Sequence, residues 1–375
     1  MEKKKIRILH VAQAAGGVDR YIRMLLKYMN KEEFENVLIC SNDFKRENYI
    51  GLTDYFEQID MKRSIGKNDL NAIKTVRKLI KKYNPDIVYA HSSKAGAVVR
   101  VADIGIKNVC IYNPHGWSFN MKCSDKNRRL YTLIEKMAAP FCDKIICISD
   151  AEKQSAIKNK ICNDKKLHVI LNGVDIEEYK NGKHDVVKRQ DLNIPQDSFV
   201  VGMVGRISMQ KAPDIFVKMA KLVKEKITNA HFVIVGSGDL EPEVRKYAEE
   251  NGLSDNLHIT GWVDNPINYV EIFDVACLLS RWEGFGLVLP EYMIAEKPIV
   301  ATRVDAIPDI IKSGQNGILV DVDNEISASE AVLYLYKNKK QREQLISQAL
   351  KDVNEKFDSR RVAEEHEKLF TEIIV

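Results

Sequence analysis

The chain lacks any uninterrupted apolar run approaching the ~18 residues that a membrane-spanning helix needs, and none of its 375 residues belongs to a low-complexity tract. It also lacks a CxxC pair. Six of its seven cysteines, Cys40, Cys110, Cys142, Cys147, Cys162 and Cys277, mostly sit in or beside apolar runs, and Cys123 lies in a polar stretch. An odd count in such settings argues against a disulfide framework or a zinc site and suits reduced, buried thiols in a reducing cytoplasm. No GxGxxG fingerprint is present. The nearest approach, Gly236-Ser237-Gly238, has Glu241 at the third glycine position, which argues against a nicotinamide-dependent oxidoreductase. The N-terminus, MEKKKIRILHVA, is basic and then apolar in the manner of a signal peptide. Its apolar stretch is short, however, and reads as a first buried strand entering a glycine turn, so no export is expected.

What is present is the composition of a globular protein, 45% hydrophobic and 29% charged, long enough for two domains of ordinary size. The net charge of +4 hides a division. Residues 1–190 hold 36 Lys and Arg against 23 Asp and Glu, whereas residues 191–375 hold 21 against 30. The basic first half fits a partner with negative charge, such as a phospholipid surface or a phosphate-bearing acceptor. Lysine-rich helices that merely keep the domain soluble are the alternative. No nucleic-acid partner is expected.

Short apolar runs alternate with periodic ones. In the first half Ile6–Ala12, 36–41, 86–91, Val109–Asn113, 144–149 and 168–171 read as buried parallel strands, with helical patterns at 19–29 and 69–83. In the latter, Leu70, Ile73, Val76 and Ile80 share one face. The second half repeats the scheme, with strands at Phe199–Val204, 231–235, 257–260, 274–280, Ile299–Thr302 and 317–320. Helices are expected at 212–226, 242–251, 287–295 and 360–374. Strand–helix alternation predicts parallel sheets covered on both faces, hence two doubly wound α/β domains. Their expected extents are 1–185 and 190–357, with the polar segment 177–196 as linker; the sequence leaves open whether the final helix, 358–375, packs back on the first domain or on the second. Ligands of open α/β sheets bind outside the carboxyl ends of the strands, so two facing domains would enclose a cleft there, and the strand-to-helix junctions are where chemistry belongs.

Three junctions stand out. Ala14-Ala15-Gly16-Gly17-Val18 follows the first strand, and its glycines allow a tight turn with backbone N–H groups near a phosphate. Val204-Gly205-Arg206 with Lys211 delivers two cations suited to a diphosphate, one forked and one a point charge. The third junction, Ser280-Arg281-Trp282-Glu283-Gly284-Phe285-Gly286-Leu287-Val288-Leu289-Pro290-Glu291, places one carboxylate before a glycine turn and another about one turn into a helix. Two such carboxylates can hold two polyols by accepting from their hydroxyls. Each of these features also has an ordinary structural reading: a glycine turn, a pair of solvated cations, a glutamate favourable to a helix dipole.

Together the junctions resemble those of the family 4 retaining glycosyltransferases of GT-B fold. The core of the resemblance is EGFGLVLPE, similar to that family's Glu-x7-Glu motif, supported by VGRISMQKAP and, in the family's order, by GGVDRYI, AHSSKAG, YNPHGWSF, IICISDAEK and LNGVD. It covers nearly the whole chain. Tyr292, where alanine is common, and Met209-Gln210 depart from the pattern. The resemblance implies that Arg206 and Lys211 bind the donor diphosphate, Glu291 the ribose hydroxyls and Glu283 the donor sugar. It further implies that the N–H groups of Phe285, Gly286 and Leu287 meet the sugar or distal phosphate and that Gly16 and Gly17 close over the phosphates. By the same resemblance His115 lies near the reacting sugar, and Trp262-Val263 at the base. The implied reaction is sugar transfer from a nucleotide-diphosphate sugar, a UDP-sugar, to a lipid-linked or other saccharide acceptor in bacterial surface polysaccharide assembly. It needs no cofactor and no metal, since side-chain cations already neutralise the diphosphate. Asp321-Val322-Asp323 accordingly reads as structural.

A glycosidase would need two carboxylates flanking the scissile bond, one of them an acid, and the Arg/Lys pair is better explained by a diphosphate leaving group. A nucleotide-sugar epimerase or phosphorylase of the same fold, or a non-catalytic nucleotide-sugar binding protein, are the competing readings. Lys122, Lys126, Arg128, Arg129 and Lys136, around a helix at 127–139, form a basic face that either meets an anionic membrane or is simply solvated; the expected location is the cytoplasm, with peripheral membrane contact on the first reading.

Overall fold

The structure, a computed structural model, describes residues 4–13, 15–62, 66, 68–121, 123–181 and 185–374. Ala14 of the first glycine turn, Lys122 of the basic face and Gly182 of the expected linker lie outside the described residues. The chain forms two compact units, one of residues 1–173 with 359–375, the other of residues 174–358.

The first unit carries a seven-stranded sheet in the order β3-β2-β1-β4-β5-β6-β7. The strands are β1 Ile6–Ala12, β2 Phe34–Ser41, β3 Tyr55–Ile59, β4 Ile87–His91, β5 Val109–Asn113, β6 Lys144–Cys147 and β7 Leu167–Val169. Every pairing is parallel, as right-handed crossovers through helices require. Those helices are α1 Gly17–Tyr28, α2 Asn68–Tyr83, α3 Ser93–Ala102, α4 Asp125–Ala138 and α5 Asp150–Lys158. The edge strand β3 was not foreseen. Its sequence, YFEQI, buries Phe56 and Ile59 and leaves Tyr55 and Gln58 exposed, so that a strand at the sheet edge carries no continuous apolar run. On α2 the buried residues are Ala72, Val76, Ile80 and Tyr83. Leu70, expected on that face, is 65% exposed, since the helical period carries it away from the buried stripe.

The second unit has a six-stranded sheet in the order β10-β9-β8-β11-β12-β13. These are β8 Phe199–Val204, β9 Ala230–Val235, β10 Leu257–Ile259, β11 Val275–Leu278, β12 Ile299–Thr302 and β13 Ile318–Val320, again parallel throughout. Its helices are α6 Ile176–Asn181, α7 Pro213–Lys224, α8 Glu241–Glu250, α9 Ile267–Val270, α10 Val288–Ile294, α11 Ile307–Ile310, α12 Glu325–Lys337 and α13 Lys339–Lys356. Every strand expected in either half is present, with ends within two residues.

The passage between units differs from expectation. It falls at Gly173–Val174 and again at Asp358–Ser359, so the polar stretch 177–196 belongs to the second unit. Its polar side chains and backbone are anchors: Tyr179 donates to Glu271, Arg189 Nη2 pairs with Asp274 at 2.9 Å and the Val187 backbone N–H donates to Asn268 O at 3.1 Å. The final helix, α14 Ser359–Ile374, returns to the first unit. Val362, Ala363, Leu369 and Phe370 enter the core shared by Tyr21, Ile22 and Phe34.

Helix α4 is held unusually. Its one fully buried residue is Glu135, which pairs with the buried Arg100 of α3 at 2.9 Å and accepts from Tyr112 Oη at 2.9 Å. Arg100 also donates to Gly96 O at 2.9 Å and lies over the Tyr112 ring. Removing one partner of a fully buried pair strands the other charge. Glu135→Ala is therefore expected to lose about 3–5 kcal/mol of stability, read from the denaturant midpoint; an unshifted midpoint would show that the pair does not anchor α4.

Candidate active site

In an open parallel sheet, the place where strand order reverses leaves a crevice at the strands' carboxyl ends. Here the reversals lie between β8 and β11 in the second unit and between β1 and β4 in the first. The segments after β8 and β11 carry Arg206, Lys211, Glu283 and residues 285–291, and the loop after β1 carries Gly16 and Gly17; His115 follows β5 and Val263 follows the edge strand β10.

At the first reversal the sheet is spread by a side chain. β8 and β11 pair through Met203 and Cys277. One residue further on, Val204 N–H donates to the buried hydroxyl of Tyr292 at 2.8 Å, and that hydroxyl donates to Cys277 O at 3.3 Å. The departure from alanine at 292 thus supplies a bridge across the opening. Beyond it the chain turns through Gly205 to Arg206 and Lys211. Arg206 is exposed and its guanidinium has no protein partner among the described residues. The turn is set by the next loop, whose backbone lies against it. Ile207 N–H donates to Ser237 O and Leu240 N–H to Ile207 O, at 3.0 and 3.1 Å. A Cβ on Gly236 would come within 2.1 Å of Gly205 O, and one on Gly238 within 2.2 Å of Ile207 O. Those two glycines, unlike a dinucleotide fingerprint, serve backbone contact.

Lys211 and Glu283, expected as separate ligands of phosphate and sugar, form an ion pair with each other, both largely buried. The Glu283 carboxylate also accepts from Ser280 Oγ at 3.2 Å, and its own N–H donates to Asp305 at 2.9 Å. Arg281 joins the two loops. Its guanidinium is bidentate to Asp214 at 3.0 and 2.6 Å, and it donates to Met209 O at 3.0 Å and to Asp323 at 2.6 Å. Its backbone N–H donates to Gln210 O at 2.8 Å. Asp214's hydrogen bond raises the Arg281 pKa against the opposing effect of burial. On Asp214 burial acts upward, but the bond and charge of Arg281 carry its carboxyl below the usual value. Asp323 of the Asp-x-Asp sequence is thus an anchor for Arg281. Arg281, Asp305 and Tyr292 were not recognised as site residues in the sequence. An arginine at the end of an otherwise apolar strand was the available signal for the first.

Phe285 is buried, its ring edge-on to Phe357. Leu287 caps α10, Gly286 O accepts from Leu289 N–H at 2.8 Å, and Glu291 in the first turn is 6% exposed. Val263 is half-buried on the loop leaving β10, beside Trp262, which is 74% exposed. A bridge between Gly236 and Gly261 ties that loop to the exit of β9.

In the first unit, Gly16 caps α1 at φ 99°, a conformation that L side chains rarely adopt, and Gly17 opens the helix. His115, in the loop after β5, also has positive φ, 51°. Its N–H donates to Asn113 Oδ1 at 2.9 Å and that of Gly116 to Glu152 at 2.7 Å. Beneath it lies a row of rings that was not anticipated. His91 Nδ1 is 3.1 Å from His115 Nε2, His10 Nδ1 is 3.1 Å from His91 Nε2, and His10 Nε2 is 3.1 Å from Asn36 Oδ1. The imidazoles stack at 5.4 Å with tilts of 18° and 22°. His366 stands beside the row, bonded to Tyr21 and Tyr89 hydroxyls at 2.9 and 3.2 Å. Burial lowers all four pKa values: His10 to about 4, His115 and His366 to about 3, His91 well below its ordinary value. Burial raises Glu152 to about 7 despite two backbone N–H donors.

The family model Glycosyltransferase Family 4 matches residues 15–178 and Glycosyl transferases group 1 matches residues 186–352. The chain is 30% identical over 338 residues to the UDP-Gal:alpha-D-GlcNAc-diphosphoundecaprenol alpha-1,3-galactosyltransferase of Escherichia coli, covering 86% of this chain and 87% of that one. It is 25% identical to the capsular polysaccharide biosynthesis glycosyltransferase CapM of Staphylococcus aureus, over 98% and 97% of the two chains. In fold it is similar to Anabaena HepE crystallised with UDP and glucose, at a TM-score of 0.83 and 20% identity over 98% and 99% of the chains.

Two outcomes are expected. Gly238→Ala should push the 205–207 turn aside, lowering stability and weakening binding of UDP measured by calorimetry; unchanged affinity would show that the turn is not part of the site. The buried histidines remain neutral in the fold to about pH 3–4, whereas unfolded histidine protonates near 6.5. The unfolded chain thus binds more protons in that interval. Their contribution to stability is complete above about pH 6.5 and falls away as pH drops toward 4. Glu152 acts oppositely, its contribution being lost as pH rises through about 7. Thermal midpoints should fall between pH 6.5 and 4, and a flat profile there would contradict the neutral row.

Proposed function

This chain belongs to the family 4 glycosyltransferases, and from that membership we propose that it moves a sugar from a UDP-sugar to a lipid-linked saccharide in bacterial surface polysaccharide assembly, with retention at the anomeric carbon. The observation that carries the donor assignment is the loop after β8. It presents the Arg206 guanidinium without a protein partner among the described residues, next in sequence to a glycine packed on Lys211, whose ammonium is already held by Glu283.

Breaking the anomeric bond leaves negative charge on the departing diphosphate. Arg206 can take two of its oxygens in a forked geometry, and Lys211, with three N–H donors, can satisfy Glu283 and a phosphate oxygen together. Glu283 in turn has acceptor capacity left for sugar hydroxyls, and Glu291 is assigned the ribose. The N–H groups of Phe285, Gly286 and Leu287 are assigned the distal phosphate or sugar, Gly16 and Gly17 the phosphates, Val263 the base, and His115 the reacting sugar. Two fixed cations make a metal unnecessary. The galactosyltransferase named above uses a diphosphoundecaprenol-linked acceptor, which supports a lipid-linked acceptor here.

Such an acceptor lies at a membrane, and α4 offers a suitable face. Leu130, Leu133 and Met137, with Phe141 beyond, are exposed along it, while Glu135 is turned inward. Lys126, Arg128, Arg129 and Lys136 flank the apolar stripe and are all exposed. Apolar residues outward with basic neighbours favour the interface of an anionic bilayer, with no helix of the described residues long and apolar enough to cross it.

Incubation with labelled nucleotide sugars and membrane lipid extract is expected to transfer sugar with or without EDTA. Arg206→Ala should lower kcat about 10²–10³-fold, as expected for loss of one charge-stabilising donor. Donor binding without transfer to any acceptor would favour a binding protein instead. Leu133→Asp with Met137→Asp should reduce sedimentation with phosphatidylglycerol vesicles while leaving transfer to a soluble acceptor intact; equal sedimentation would remove α4 from the membrane face.

A further inference from the structure

The three-histidine row in the first unit has a single direction. Each neutral imidazole has one donor and one acceptor nitrogen. Asn36 Oδ1 only accepts, so His10 meets it with Nε2–H and has a lone pair on Nδ1. His91 must then donate from Nε2 to that lone pair, leaving its Nδ1 to accept from His115 Nε2–H. The choice made at Asn36 therefore passes through two buried rings to the half-buried third. His366 does not join the row. It faces the Tyr21 and Tyr89 hydroxyls through Nε2, and its Nδ1–H donates to Val362 O at 2.7 Å. The Tyr21 ring stands edge-on to His115 at 4.5 Å and helps to hold it in place.

We propose that Asn36, His10 and His91 are positioning residues that fix the tautomer of His115, leaving its Nδ1 as an outward hydrogen-bond acceptor that selects a ligand hydroxyl. No described residue hydrogen-bonds that nitrogen. A lone pair there attracts a hydroxyl of a sugar and repels the oxygens of a phosphate or carboxylate, which can only accept. The row thus discriminates between the two chemical halves of a nucleotide sugar at one position. The identity of the hydroxyl as a sugar's rests on the transferase reading, whereas the tautomer does not.

The histidine ring nitrogens report this directly. In the full chain labelled with ¹⁵N-histidine at neutral pH, His10, His91 and His115 should each show a protonated Nε2 and an unprotonated Nδ1. The His115 signals are assigned by their loss in His115→Gln. Asn36→Leu should turn the single His115 tautomer into a mixture and lower kcat/KM for the nucleotide sugar while leaving UDP affinity unchanged. A protonated Nδ1 on His115 in the unaltered chain would reverse the row and overturn the proposal, as would an unchanged tautomer in a folded Asn36→Leu protein. Should no nucleotide sugar be turned over while the unaltered chain shows the stated tautomer and Asn36→Leu disturbs it, the positioning proposal holds and the transferase reading alone fails.

Discussion

A parallel strand leaves its last peptide groups without a partner wherever its two neighbours depart in opposite directions. Each sheet here contains one such place, between β1 and β4 and between β8 and β11. Buried backbone groups must be paired, so the fold must furnish something at each opening. In the second unit it is Tyr292, whose hydroxyl serves both Val204 N–H and Cys277 O. In the first unit the corresponding feature is a side-chain contact, the imidazole row that joins His10 on β1 to His91 at the end of β4. Side chains that stitch an opening also point toward what enters it. The proposed chemistry belongs where the sheets divide.

The charges at the second-unit opening are organised in pairs. Arg281 engages Asp214, Asp323 and the adjacent carbonyls of Met209 and Gln210, and so sets the distance between the Lys211 loop and the Glu283 loop. Lys211 and Glu283 neutralise each other across that distance. Among the described residues the Arg206 guanidinium has no protein partner, and an uncompensated charge is what a diphosphate needs. Preorganisation of this kind costs nothing at the moment of reaction, because the dipoles and charges are already aimed. It also explains why Gly236 and Gly238 tolerate no side chain: the loop carrying Arg206 is positioned by backbone contact on that side.

The apolar runs made the sheets legible, since strands buried on both faces need nothing but hydrophobic residues. β3 escaped because it buries only Phe56 and Ile59 of its five residues and so offers no apolar run. The segment 177–196 read as a linker because its anchors, Tyr179 and Arg189, are polar, and composition does not distinguish a solvated side chain from one bound to Glu271 or Asp274. The ordered motifs singled out Arg206, Lys211, Glu283 and Glu291 as a set, and the fold brings Lys211 and Glu283 of that set into contact. Pairings remained invisible: nothing in the spacing of Lys211 and Glu283 says that they meet, and His10, His91 and His115 are joined only by the strand order. Long-range partners of this kind are set by topology, which local pattern does not encode.

The account stands on the claim that the β8/β11 opening receives a nucleotide diphosphate. Amide hydrogen exchange of the full chain with and without saturating UDP tests it without reference to any acceptor. Protection is predicted in two separate segments, 205–212 and 281–288, with little change along α4. Protection confined to other segments, or none at saturating UDP, would contradict it.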